Sequence, residues 1–200
     1  MTTDSNIQSL NTGPSARGIA SSVLFLAAFG TLWAYLGISG LNNMGEPWLE
    51  VAVWAIGLAL LIAGVSLLRD ARKTSSRNAK VRQHITNWFR TIFAVELAAI
   101  AVAYVVCRAV NRYDLFFPVM MLIVGFHFFP LAYLFKIRKY YWTGAILSLL
   151  AILAFLAVPL AVNFNSMQIR TRRVILGFGG AFVIWGAGLL NWRQGRHQVT

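Results

Sequence analysis

Six apolar stretches, each near 20 residues and nearly free of charge, follow one another along this chain with short polar connections between them. A helix rises 1.5 Å per residue, so about 20 apolar residues match a hydrocarbon layer of about 30 Å. A soluble fold of 200 residues has no interior large enough to hide six such segments, and only 12% of the residues are charged. Soluble domains carry about 25%. The expected fold is therefore all-α, a polytopic integral membrane bundle. Its six transmembrane helices fall near 19–41, 48–68, 89–108, 115–135, 143–162 and 174–192. Residues 1–16, rich in Ser, Thr and Asn, read as a flexible cytoplasmic tail, and 194–200 as a second tail.

Six spans return both termini to one side, and the basic residues say which. With the termini cytoplasmic, the inner segments hold Arg17, Arg69, Arg72, Lys73, Arg77, Lys80, Arg82, Arg90, Lys136, Arg138, Lys139, Arg193 and Arg196, 13 of the 18 Lys and Arg residues. Arg108, Arg112, Arg170, Arg172 and Arg173 remain outside. The positive-inside rule favours that orientation, against which the Arg170–Arg173 cluster is the main counter-signal. Because the positive charge punctuates the ends of apolar runs, a net charge of +12 points to anionic headgroups at the cytoplasmic face and not to nucleic acid. Arg69, Arg72, Lys73, Arg77, Lys80 and Arg82 form the densest cluster. The 81–89 segment that follows is spaced either as a surface helix or as an extension of the third span.

Small residues Gly30, Ala34 and Gly37 recur along one side of the first span, a pattern that permits close helix contact. Gly57, Gly64, Leu67 and Leu68 in the second span match Gly179, Gly186, Leu189 and Leu190 in the sixth at a constant offset of 122, which is compatible with a parallel repeat or with chance. One cysteine, Cys107, excludes an internal disulfide and a cysteine-rich metal site, and no metal or cofactor is expected.

Two ionisable residues interrupt the apolar runs. Glu96 lies seven residues into the third span and His127 eight residues from the end of the fourth, so both sit at a depth of about 10–12 Å on helices joined by a short turn. A carboxylate in hydrocarbon must be neutral, paired or wet, and an imidazole beside it can relay a proton. Pro130 cannot donate to the Phe126 carbonyl and should kink the fourth span next to His127. These three form the candidate intramembrane site. Glu50, Arg108, Arg112 and Asp114 are candidates for an outer vestibule.

The run His127-Phe128-Phe129-Pro130-Leu131-Ala132, with Ile123-Val124-Gly125 before it and the basic-aromatic Lys136–Trp142 after it, resembles a group of small bacterial multi-span inner-membrane proteins. The resemblance implies placement in the bacterial inner membrane and no particular activity. From the residues themselves, the first functional reading is a structural or regulatory membrane component whose basic 69–90 segment meets anionic lipid or a partner. The alternative is a small proton-linked transporter or channel-like permease for a small polar solute, using Glu96 and His127. A component of an intramembrane enzyme is a third reading, disfavoured because the spans supply so few convergent polar side chains; no catalytic residue is assigned.

Overall fold

The computed structural model describes residues 16–42, 44–74, 79–135, 137–164 and 167–199. Six helices dominate it: α1 (Ala16–Ile38), α2 (Trp48–Thr74), α3 (Ala79–Ala109), α4 (Phe116–Phe135), α5 (Lys139–Ala157) and α6 (Thr171–Val199). All six contain a stretch long and apolar enough to cross a membrane. Their outward faces carry Leu58, Ile62, Val102, Val105, Leu149, Leu156 and Phe182, all exposed. Such a surface is stable only against lipid, so the protein is a multi-pass membrane protein.

Several helices outrun the apolar stretches that announce them. α3 is continuous from Ala79, so the 81–89 segment extends the third span instead of lying apart from it. α6 continues through the polar residues after Trp192 as far as Val199. α5 does the reverse. It begins earlier, at Lys139, and ends at Ala157, because Pro159 supplies no N–H to continue the ladder. A short antiparallel hairpin, β1 (Val162–Phe164) and β2 (Met167–Ile169), then leads into α6, with Val162 opposite Ile169. The side chains of 72–86 and all of 75–78 are outside the described residues, which leaves only Arg69 of the basic cluster to place; it is exposed.

Short turns make α1 and α2, α3 and α4, and α4 and α5 antiparallel neighbours. α3 stops at Asn111, which adopts φ +54°. There the Asn111 N–H donates to the Arg108 carbonyl (3.1 Å) and the Arg112 N–H to the Cys107 carbonyl (2.8 Å). This paired closure consumes the free carbonyls at the helix end and reverses the chain at once into α4 through a single 3-10 turn, Tyr113–Leu115. Between α1 and α2, Gly45 sits at φ +87°, a conformation that side chains other than glycine's adopt only under strain.

At the centre, α1 and α6 run antiparallel in contact so close that a Cβ on Gly177 would overlap the backbone of Gly37. One face of α1 supplies the notches: Gly30 receives the Trp185 ring, while Trp33 of α1 lies against Gly180 of α6. α2 packs on the other side of α1, its Gly57 against Thr31 and its Gly64 against Leu24. On the far side, α6 meets α5, where Gly179 faces Leu150, and α4 meets α5 through Gly125 and Gly144. Gly179 thus repeats the kind of contact Gly57 makes with the preceding helix, but Gly186 has open space where Gly64 has Leu24. Trp33, Leu26, Met121, Phe128, Leu147, Leu176 and Ile184 fill the interior. α3 is the outlier: it docks chiefly on α4, with Phe89 and Phe93 meeting Phe25 of α1 edge to face.

Gly177→Val should separate α1 from α6 and lower stability by about 1–3 kcal/mol in a detergent unfolding titration, while Gly186→Ala, with nothing within 4 Å, should leave the midpoint unchanged. Equal behaviour of the two variants would contradict the central contact.

Candidate functional site

Glu96 and His127 come together because the tight 109–115 turn sets α3 and α4 side by side, and because each faces inward. Phe93, one turn before Glu96, brings its ring to 6.4 Å from the imidazole. Phe89, Phe135 and Phe25 continue this aromatic seam toward the end of the bundle that holds both termini. His127 Nδ1 lies 3.2 Å from Glu96 Oε2, with the two side chains 4% and 2% exposed. Proximity is not the same as a hydrogen bond here. The angles do not meet hydrogen-bond geometry, and both carboxylate oxygens and both ring nitrogens are shut from solvent without a hydrogen-bond partner among the described residues.

That arrangement is chemically poised. A neutral acid beside a neutral imidazole and a carboxylate beside an imidazolium have the same total charge, and one proton moved across the 3.2 Å gap interconverts them. Adding a second proton leaves a net positive charge inside the bundle, which membrane interiors tolerate only at high cost. The pair therefore has a natural resting charge of zero and a strained protonated state.

Pro130 does less for this pair than its position in the sequence suggests. α4 remains helical through it, and both Pro130 and Phe126 are exposed, which puts the interrupted turn on the outer flank of α4. At the opposite end of the bundle, Arg112 pairs with Asp114 at 3.2 Å in a surface ion pair of small energetic value. Arg108 donates to the Tyr104 hydroxyl at 3.2 Å. Tyr104, Arg108, Asn111 and Tyr113 line an open cavity of about 460 Å³. Glu50, half-buried at the start of α2, is not among its lining residues. No group of three His, Cys, Asp or Glu side chains gathers among the described residues.

Two polar arrangements escaped sequence reasoning. Asn191 is 1% exposed and donates to Ser22 Oγ (3.2 Å) and Tyr140 Oη (2.9 Å), which ties α1, α5 and α6 together near the terminal end. The only sequence signal was a lone amide inside Leu189-Leu190-Asn191-Trp192. Arg172 donates from Nε to the Val158 carbonyl (3.0 Å) and from Nη2 to that of Phe155 (3.2 Å). The residue whose N–H would have served the Phe155 carbonyl is Pro159, so the guanidinium replaces a donor the chain lacks. One of the outer arginines that run against the charge rule thus has a backbone reason to be there.

No family model matches this chain, and neither a curated protein nor a solved structure matches it.

A double-mutant cycle with Glu96→Gln and His127→Phe should return a coupling of about 0.6–1.7 kcal/mol in unfolding free energy, the range of side-chain pairs inside membrane bundles. Strict additivity would mean that the two groups do not act on one another.

Proposed function

We propose that this protein is a small proton-linked transporter or channel-like permease of the bacterial inner membrane, in which Glu96 and His127 form the proton site. One observation carries the reading: an acid and an imidazole, fully buried, stand 3.2 Å apart with their hydrogen-bonding capacity unspent. A structural latch favours the opposite arrangement, because a buried polar pair contributes to stability only when its hydrogen bonds are made. Asn191, satisfied by partners on two other helices, is what a latch in this bundle looks like.

The placement of α3 also supports transport. Its membrane-length part, Asn87–Ala109, is the least buried of the six spans among the described residues, and its main dock is α4. Displacing α3 along the aromatic seam opens the pair toward the end that carries the termini, the cytoplasmic end in the orientation favoured by charge. Gain of a proton by the pair creates a buried positive charge, which in turn drives that displacement. A polar solute passing through the bundle gains coupling if it binds one state of the pair better than the other. The reading as a structural or regulatory component rests on the basic 69–90 segment, of which the side chains of 72–86 lie outside the described residues. An enzyme reading finds no third polar group converging on the pair among the described residues.

The test is reconstitution of the full chain into liposomes loaded with a pH-reporting dye, with a valinomycin-clamped potassium potential as the driving force. Wild-type protein should carry protons, and Glu96→Gln and His127→Asn should each reduce the rate at least about tenfold while remaining folded. Arg69→Gln should leave it intact. Wild-type vesicles that stay as proton-tight as empty ones, or Glu96→Gln vesicles as active as wild type, would remove Glu96 and His127 from a transport role.

A further inference from the structure

Five arginines stand at the end of the bundle away from the termini, where the charge rule disfavours them. Three have local explanations. Arg112 pairs with Asp114, Arg108 donates to the Tyr104 hydroxyl, and Arg172 serves the carbonyls at the end of α5. Arg170 and Arg173 have neither an acidic partner nor a backbone carbonyl to serve among the described residues.

Arg173 is held rigidly. Its guanidinium carbon lies 4.2 Å from the centre of the Phe117 ring of α4, and Nη1 is 3.5 Å from Ser39 Oγ at the end of α1. Its Nε is buried without a hydrogen bond. Arg170 is exposed and tethered, its N–H donating to the Gly40 carbonyl (2.9 Å), and it lies within electrostatic reach of Arg173, as does Tyr113. Neither arginine has a carboxylate at ion-pair distance among the described residues. Arg173 sits in the first turn of α6 and Arg170 just before it; that turn contains no acid, and the helix adds positive field of its own there. Two guanidiniums, one of them held against a ring, thus stand at the disfavoured end of a helix dipole with no counter-charge among the described residues.

We infer that Arg170 and Arg173, with Ser39 and Tyr113 beside them, form a site for the phosphodiester of an anionic phospholipid headgroup in the leaflet at this end. With Nε buried and Nη1 at Ser39, the Nη2 group of Arg173 is left to meet a phosphate oxygen, and the exposed Arg170 guanidinium supplies a planar edge that suits a second. The setting is that of a lipid. Val162, exposed and paired with Ile169 next to Arg170, puts apolar surface beside the arginines, where an acyl chain can lie next to its headgroup. Tyr113, 46% exposed and stacked on Phe116, adds an aromatic of the kind that collects at headgroup depth. The inference stands apart from the proton site, since Arg173 and Glu96 lie toward opposite ends of the bundle.

The full chain, delipidated in detergent, is titrated with phosphatidylglycerol or phosphatidylcholine and followed by native mass spectrometry, with glycerol phosphate as a soluble competitor. Wild type should retain phosphatidylglycerol over phosphatidylcholine, and Arg173→Gln should weaken the tightest phosphatidylglycerol about tenfold. Arg170→Gln, at an exposed position where folding is not at stake, should weaken it in the same direction, while Arg112→Gln, at the same end but paired with Asp114, should not. Unchanged phosphatidylglycerol retention in Arg170→Gln and Arg173→Gln overturns the proposal. So does displacement of the lipid from wild type by glycerol phosphate at equal concentration, which would make the site one for a soluble anion.

Discussion

The backbone contact between α1 and α6 is what the rest of this bundle hangs from. In lipid, apolar side chains gain nothing from leaving one hydrocarbon for another, so helices associate by fit and by internal hydrogen bonds. Gly37 and Gly177 let two backbones touch, and the Gly30 and Gly180 notches take tryptophan rings that would otherwise hold the helices apart. Once that pair is set, α2 and α5 fill its flanks. α4 closes over α5, and α3 is left on the periphery with α4 as its main support.

Polar groups in the bundle divide by how well they are satisfied. Asn191 makes its bonds across three helices and behaves as a fastener. Arg172 repairs the backbone deficit that Pro159 creates at the end of α5. Glu96 and His127 are buried like Asn191, yet spend none of their hydrogen-bonding capacity among the described residues. Stability alone does not favour keeping two ionisable groups in that condition. That contrast is what the proposed proton site rests on.

Much of the architecture was legible in the chain, because lipid imposes a simple rule: a spanning segment must satisfy its own backbone and present apolar side chains over a known length. That rule locates six helices and picks out Glu96 and His127 as interruptions at matching depth. It is blind to polar helical ends, so α3 and α6 run further than their apolar parts, and it counts apolar residues without asking who donates to whom, so the ending of α5 before Pro159 and the hairpin after it went unseen. It also reads Pro130 by its distance along the chain from His127. The rotation of α4 puts that interrupted turn on the outer flank.

The sequence by itself thus determined that this is a multi-span helical membrane protein, how many helices it has, and which ionisable residues lie within the apolar depth. Those are one-dimensional properties, set by length and transfer energy. Tertiary structure alone decided that α1 and α6 are the central pair, that Glu96 and His127 face one another across 3.2 Å, and that Arg170 and Arg173 lie within electrostatic reach of one another with no carboxylate at ion-pair distance among the described residues. Each of these depends on helix rotation and on contacts between residues far apart in the chain, and the hydrophobic effect, which makes the spans readable, carries no information about either inside a bilayer.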